Sequence, residues 1–201
     1  KNKNLMLVFG ILLLLMIVNI INAGNTGTKP SQCGYQYTSM GNAARYAFDA
    51  GFDRNNAIII VAVAWAESRG NINACLYNPG SNSWDRGILQ INNYYHSEVT
   101  DKQAFDPKQA FIEAKRISKG SNFKEWYGYI YGTYKNYLSQ STNAVDRVLK
   151  CKDQCSLGQT RCSLWNIKQT CILSNGCYVW GGDISCTNGC AYGQCVNSCT
   201  P

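Results

Sequence analysis

Residues 58–70 read IIIVAVAWAESRG, an almost unbroken apolar run that ends at Glu67 and is followed by Ser68-Arg69-Gly70. Asp53 is a helix-capping residue type before the run, and Gly70 is a helix-ending type just beyond it. The β-branched residues Ile58 to Val61 would also suit a buried strand, but the length of the segment favours a helix. The pattern therefore predicts a buried helix from Asp53 to Glu67.

Glu67 lies where a carboxyl group is poorly solvated as an anion, at the edge of an apolar segment and at the negative end of a helix. Both effects raise the pKa of a carboxyl group, as a general acid requires. Position alone also suits a structural role, because carboxylates commonly end apolar segments where the chain leaves the core. Further along the chain, Asp85 precedes an alternating segment, Gly87 to Asn92, which predicts a short strand. Glycoside cleavage needs two such groups near one bond, an acid and a second group that stabilises or attacks the sugar cation.

Several ordered motifs in this region resemble the lysozyme superfamily. The resemblance to c-type lysozymes rests on AWAESRGN at 64–71, DRGILQIN at 85–92, AKRI at 114–117 and FKEW at 123–126. Glu67-Ser68 and the GILQI segment at 87–91 are similar to the Glu-Ser and Gly-Leu-Met-Gln-Ile motifs of soluble lytic transglycosylases and goose-type lysozymes. The resemblance covers roughly residues 39–149. It implies an α+β fold, a mostly helical lysozyme-like domain with a short β element.

The resemblance also implies roles for single residues. Glu67 matches the catalytic acid, and Asp85 matches the second carboxylate of the c-type enzymes. Trp126 matches the tryptophan that packs against the acid and keeps it protonated, the arrangement for which lysozyme is the reference case. The expected substrate-binding residues are Ser68, Gln90, Asn92, Trp126 and Tyr131. Tyr131 belongs to an aromatic face with Trp126, Tyr127 and Tyr134 on a predicted helix from Phe123 to Leu138, and such a face is either core or a platform for sugar rings.

The chain departs from the family pattern in ways that leave two roles for Asp85, a catalytic one and a structural one. Only Cys33 and Cys75 fall in this region, so the c-type disulfide set is missing. Lytic transglycosylases work with a single glutamate, and an acidic residue before a strand is also a common cap or turn former. His96 is the single histidine, expected at the surface or the cleft edge, and no Gly-x-Ser-x-Gly motif supports a Ser-His-Asp triad.

Three further helices are predicted in the same region. Ser39 to Ala50 is closed by Gly51, and Asp106-Pro107 is a cap followed by a first-turn proline for a helix through Ile117. Thr142 to Leu149 completes the set.

The N-terminal segment has the pattern of a secretory signal peptide. Two lysines precede an apolar stretch, residues 5–21, and Ala23 follows at a plausible cleavage site. We predict a signal peptide over 1–23 and a linker over 24–38. The alternative is an uncleaved membrane anchor through residues 5–21.

The C-terminal segment, residues 150–201, contains nine of the eleven cysteines. A segment this short cannot bury a large core, so we predict a disulfide-rich module of short strands and irregular structure. The odd total leaves one thiol free or paired between chains, and a Cys-only zinc site is a minor alternative. Residues 155–162 resemble small cysteine-rich modules that are appended to secreted proteins.

The net charge of +7 favours approach to anionic cell walls. The basic residues are scattered and no nucleic-acid motif accompanies them, so we expect no nucleic-acid partner. No metal or other cofactor is expected.

The function predicted is a secreted muramidase that cleaves peptidoglycan, with the C-terminal module as an attachment to the cell surface or wall. The alternatives are a lytic transglycosylase, a catalytically silent glycan-binding protein, and chitin as the substrate.

Overall fold

The computed structural model describes residues 27–196. The predicted signal peptide and Cys199 lie outside the described residues. Within residues 27–196, no helix has both the length and the apolar character needed to cross a membrane.

The first region is built around a buried helix. Helix α1 spans Met40–Asp49, and helix α2 spans Arg54–Ser68. The Asp53 carboxylate accepts a hydrogen bond from the Asn56 N–H at 2.9 Å, so the predicted cap and helix are confirmed. Nearly all side chains from Ala57 to Ala64 are buried, because the other helices of the region pack around α2. Glu67 is therefore held in the last turn of the most enclosed helix of the region.

A three-stranded antiparallel sheet follows, with β1 at Cys75–Asn78, β2 at Ser83–Arg86 and β3 at Ile91–Asn92. The predicted strand from Gly87 to Asn92 is wrong, because only its last two residues are extended. Gly87 and Gln90 adopt positive φ angles of 70° and 48°, which turn the chain between β2 and β3. Asp85 consequently lies inside β2, where it pairs with Leu76, rather than ahead of a strand.

The remaining helices are α3 at Asp101–Phe105, α4 at Pro107–Ile117, α5 at Tyr127–Ile130 and α6 at Leu138–Lys150. Asp106 caps α4 as predicted. The predicted helix from Phe123 to Leu138 is wrong: α5 is a single turn, and a 3-10 helix follows at Thr133–Tyr137. Gly132, at φ 74°, separates the two. The predicted helix from Thr142 to Leu149 is confirmed but starts four residues earlier.

The C-terminal module consists of two small antiparallel sheets. One contains β4 at Thr160–Leu164, β5 at Ile167–Ser174 and β6 at Cys177–Ser185, and the other contains β7 at Cys190–Ala191 and β8 at Gln194–Cys195. The ten cysteines among the described residues form five disulfides, so none of them offers a thiolate to the alternative zinc site. The pairs are Cys33–Cys75 in the first region and Cys151–Cys177, Cys155–Cys171, Cys162–Cys190 and Cys186–Cys195 in the module.

The module packs directly on helix α1. Arg45 donates to the Gly176 carbonyl at 3.0 Å, forms an ion pair with Asp153, and lies 4.8 Å from the centre of the Tyr178 ring. The Gly176 N–H in turn donates to Asn42 at 2.9 Å. The β5–β6 turn is therefore fixed on α1 by a set of hydrogen bonds rather than held by the connecting chain alone.

Gly41 allows this contact because it has no side chain. A Cβ at position 41 would lie 2.5 Å from the Asn175 carbonyl oxygen, which is backbone and cannot swing away. Alanine normally stabilises a helix by roughly 1 kcal/mol relative to glycine. We expect Gly41→Ala to destabilise the protein here, and to raise the hydrogen-exchange rates of the β5–β6 turn amides. Unaltered exchange in the turn would contradict the tight contact.

Candidate active site

A cavity of about 530 Å³ lies between the end of α2, the three-stranded sheet and α5. Five of the predicted site residues line it: Glu67, Asp85, Gln90, Asn92 and Trp126. Ser68 and Tyr131 do not. The fold thus brings the two carboxylates to one cavity from a helix end and a strand.

Glu67 is largely removed from water in this cavity. Burial raises the pKa of its carboxyl group, the hydrogen bond from the Gly128 N–H lowers it, and the negative charge of Asp85 raises it again. The net shift is upward, so a larger fraction of Glu67 is protonated near neutral pH than for an exposed glutamate. A half-buried carboxyl group that faces a cavity and has a raised pKa has the properties of a general acid.

Gly128 positions this acid, and sequence reasoning missed it. Its N–H donates to Glu67 Oε1 at 2.7 Å, across 61 residues of sequence. A Cβ at position 128 would lie 2.8 Å from the Ala66 Cβ and 3.0 Å from Glu67 Oε1. Close approach of α5 to the end of α2 therefore requires a residue without a side chain.

We expect Gly128→Ala to lower kcat by about tenfold or more, because the added methyl group moves α5 or the carboxyl group away from the productive position. The change in unfolding free energy should be only about 1–3 kcal/mol, the usual cost of overpacking. Steady-state kinetics and thermal unfolding of the same sample separate the two effects. A normal kcat would show that the acid tolerates displacement.

Trp126 forms part of the cavity wall and of the core. It is 4% exposed, its indole N–H donates to the Leu89 carbonyl at 2.7 Å, and its ring centre lies 6.4 Å from that of Phe123. It therefore fixes the turn between β2 and β3 while it keeps water from one side of the cavity.

Replacement of Trp126 tests its effect on the acid. Trp126→Ala should admit water, lower the pKa of Glu67 and move the alkaline limb of the pH–rate profile to lower pH. It should also destabilise the fold by about 3–5 kcal/mol. Trp126→Phe is the control, since it retains an apolar ring beside the cavity and should leave the limb nearly in place. An unchanged limb in a folded alanine variant would assign the raised pKa to other neighbours.

Asp85 is held by the side chain of Asn92. Asn92 Nδ2 donates to Asp85 Oδ1 at 2.7 Å and to Ser83 Oγ at 3.0 Å. Asn92 Oδ1 accepts the Tyr94 N–H at 2.8 Å. Because both ends of the amide are engaged within the protein, the geometry gives Asn92 a role in orienting Asp85. Asn92 also lines the cavity, and its hydrogen bond to sugar stays a prediction.

Gln90 and Ser68 also hold the turn that forms the cavity floor. Gln90 Nε2 donates to the Gly87 carbonyl at 2.7 Å and to the Ala74 carbonyl at 3.2 Å. The Ser68 hydroxyl lies 2.8 Å from the Ile88 carbonyl and 3.1 Å from the Ala64 carbonyl. Ser68 thus connects the end of α2 to the turn, and it is not among the residues that line the cavity. Its contact with substrate stays a prediction. Gln90 reaches the cavity wall, and its contact with substrate stays a prediction.

The predicted aromatic face is divided in the structure. Trp126 is buried, whereas Tyr127 and Tyr131 are exposed and stack with ring centres 5.7 Å apart and planes 12° apart. Tyr127 lines the cavity, so the stacked pair extends the wall outward. Exposed aromatic rings are suited to stacking on sugars, and the role of Tyr131 stays a prediction.

Across residues 27–196, no group of three or more His, Cys, Asp or Glu side chains is arranged as metal ligands would be.

Comparison with known protein families gives one match, a family described as a lysozyme-like domain, over residues 44–128. The matched segment includes Glu67, Gly128 and the whole three-stranded sheet. No curated protein matches the sequence.

Proposed function

We propose that this protein is a secreted muramidase, on the basis that residues 44–128 match a family described as a lysozyme-like domain. Its substrate is peptidoglycan, and the bond cleaved is the β-1,4 linkage between N-acetylmuramic acid and N-acetylglucosamine. The observation that carries this proposal is the half-buried Glu67, with its raised pKa, on the same cavity as Asp85.

In the reaction that we propose, protonated Glu67 gives its proton to the glycosidic oxygen as the bond from that oxygen to the sugar C1 breaks. The leaving sugar departs with a free hydroxyl group. Asp85 stabilises or captures the positive charge at C1. A water molecule then adds its hydroxyl group to C1 and returns its proton to Glu67, so that both carboxyl groups end as they began.

The four disulfides of the module support action outside the cell, because such bonds persist in oxidising compartments. We propose that the module contributes to attachment at the wall. Trp165 and Tyr192 are largely exposed on it, and exposed aromatic rings are suited to stacking on sugars. The signal peptide over 1–23 belongs to the same proposal.

The test is incubation of the disulfide-intact protein with purified peptidoglycan and, separately, with chitin, followed by mass analysis of the fragments. Hydrolysis leaves reducing N-acetylmuramic acid ends. Fragments with an internal anhydro ring would identify a lytic transglycosylase, and binding without fragments would identify a silent glycan-binding protein. Release of chitin fragments alone would assign the other substrate.

A further inference from the structure

A stretch of chain ahead of α1, residues 33–38, runs alongside the connector between α2 and β1, residues 69–74. We call this stretch the strap. Cys33, at the start of the strap, forms a disulfide with Cys75, the first residue of β1. Strap and connector are also joined by an antiparallel bridge and by backbone hydrogen bonds. The bridge pairs Tyr37 with Asn71, and the hydrogen bonds run from Gly34 to Asn73 at 2.8 Å, from Ile72 to Gln36 at 2.7 Å and from Thr38 to Gly70 at 3.0 Å.

Asn71 is the buried side chain that holds the strap on the connector. It is 6% exposed. Its Oδ1 accepts hydrogen bonds from the N–H groups of Gln36 and Asn73, both at 3.0 Å, and its Nδ2 donates to the Gly34 carbonyl at 3.0 Å. A buried amide that satisfies three backbone groups fixes their relative positions, because each group would otherwise be left without a partner away from water. Asn71 therefore holds the two segments in one arrangement.

The connector joins the two elements that carry the proposed catalytic groups. At one end it follows Ser68, the residue after Glu67 at the end of α2. At the other end the Ala74 carbonyl accepts the Gly87 N–H at 2.8 Å, on the turn between β2 and β3. Asp85 lies on β2, just ahead of that turn. A shift of the connector therefore moves the helix end that carries Glu67 relative to the strand that carries Asp85.

We propose that Asn71 is a positioning residue, which fixes the spacing of Glu67 and Asp85 by holding the strap on the connector. This inference rests on the proposed function, since it concerns the same two carboxyl groups. A misplacement of about 1 Å can lower the rate of an enzyme about a hundredfold. The strap is thus part of the catalytic unit, although it lies ahead of residues 44–128, which match the lysozyme-like family.

Asn71→Ala tests the proposal, because it removes all three side-chain hydrogen bonds at once. The matched control is Asn73→Ala, the same change two residues along the connector. The Asn73 side chain makes one hydrogen bond among the described residues, to Gln36 Oε1 at 3.4 Å. With soluble peptidoglycan fragments we expect Asn71→Ala to lower kcat about tenfold or more and to change KM less than about twofold, and we expect both constants of the control to stay within about twofold of wild type.

The kinetics are measured well below the unfolding temperature of each variant, so that loss of folded protein does not lower kcat. Asn71→Asp is the conservative variant. It retains both hydrogen bonds to Oδ1 and loses the one to the Gly34 carbonyl, so its kcat should lie between those of wild type and Asn71→Ala. If the alanine variant does not fold, the aspartate variant is compared with the control in its place.

Hydrogen exchange gives a readout that does not need turnover. Asn71→Ala, but not Asn73→Ala, should raise the exchange rates of the Ile72 and Gly87 amides, which bond the connector to the strap and to the β2–β3 turn. An equal kcat in the two alanine variants, or unchanged exchange at Gly87 in Asn71→Ala, would overturn the proposal. Failure of the wild type to cleave peptidoglycan would instead overturn the proposed function, and the Gly87 amide alone would then decide whether Asn71 holds α2 and the sheet together.

Discussion

Glu67→Gln should reduce peptidoglycan cleavage by about a thousandfold, within the range usual for loss of a general acid. The amide is nearly isosteric and can still accept the Gly128 N–H, but it cannot deliver a proton to the leaving oxygen. Glu125→Gln is the matched control, because Glu125 lines the same cavity and has no role in the proposed reaction. Fragment release is measured for both variants after their folding is verified. Comparable rates in the two variants would remove Glu67 from the mechanism.

Although Glu67→Gln should reduce cleavage, it should increase the stability of the folded protein. The folded-state pKa of Glu67 lies above its unfolded value, so the native state binds the proton more strongly. Between the two pKa values the free energy of unfolding therefore falls as pH rises, and above them the buried carboxylate is a constant cost. Glu67→Gln should accordingly stabilise the protein near neutral pH and have little effect in acid. Thermal unfolding of wild type and variant, near neutral pH and in acid, checks the sign of this change in stability.

Asp85→Asn should cost several powers of ten in rate if Asp85 stabilises or captures the sugar cation. The variant retains an oxygen that can accept the Asn92 hydrogen bond, so the strand should remain in place. The wild type should release reducing ends. A mild loss with anhydro products would identify a lytic transglycosylase, which needs only the glutamate.

A severe loss together with anhydro products would contradict both mechanisms. Asp85 would then be a residue that holds the β2 strand through Asn92 rather than one that meets the sugar. Hydrogen exchange of the sheet amides in the variant distinguishes this structural effect from loss of charge alone.

The parts of the fold that were predictable are those encoded locally. The apolar run of α2 and the capping residues Asp53 and Asp106 define helices through contacts within a few residues of sequence. The alternation from Gly87 to Asn92 was misleading because positive φ angles at Gly87 and Gln90 form a turn that hydrophobic periodicity does not reveal.

The aromatic spacing from Phe123 to Leu138 failed for a related reason, since a glycine at position 132 interrupts the helix. The finer parts of the site depend on contacts between distant segments. The Gly128 hydrogen bond to Glu67 joins residues 61 apart, and the Asn92 amide is engaged by Asp85 only because β2 and β3 pair. Residue types suggested Glu67 and Asp85, but not the groups that position them.

The packing of the C-terminal module on α1 bears on the order in which the chain folds. Its disulfides join cysteines only 9 to 28 residues apart, whereas its contacts with α1 join residues more than a hundred apart. Local loops close faster than distant ones. We therefore expect the module to oxidise as an independent unit and to dock last, after the helices have formed. Until then the face of α1 around Gly41 is unprotected, and we expect newly made protein to be protease-sensitive until the β5–β6 turn has docked on α1.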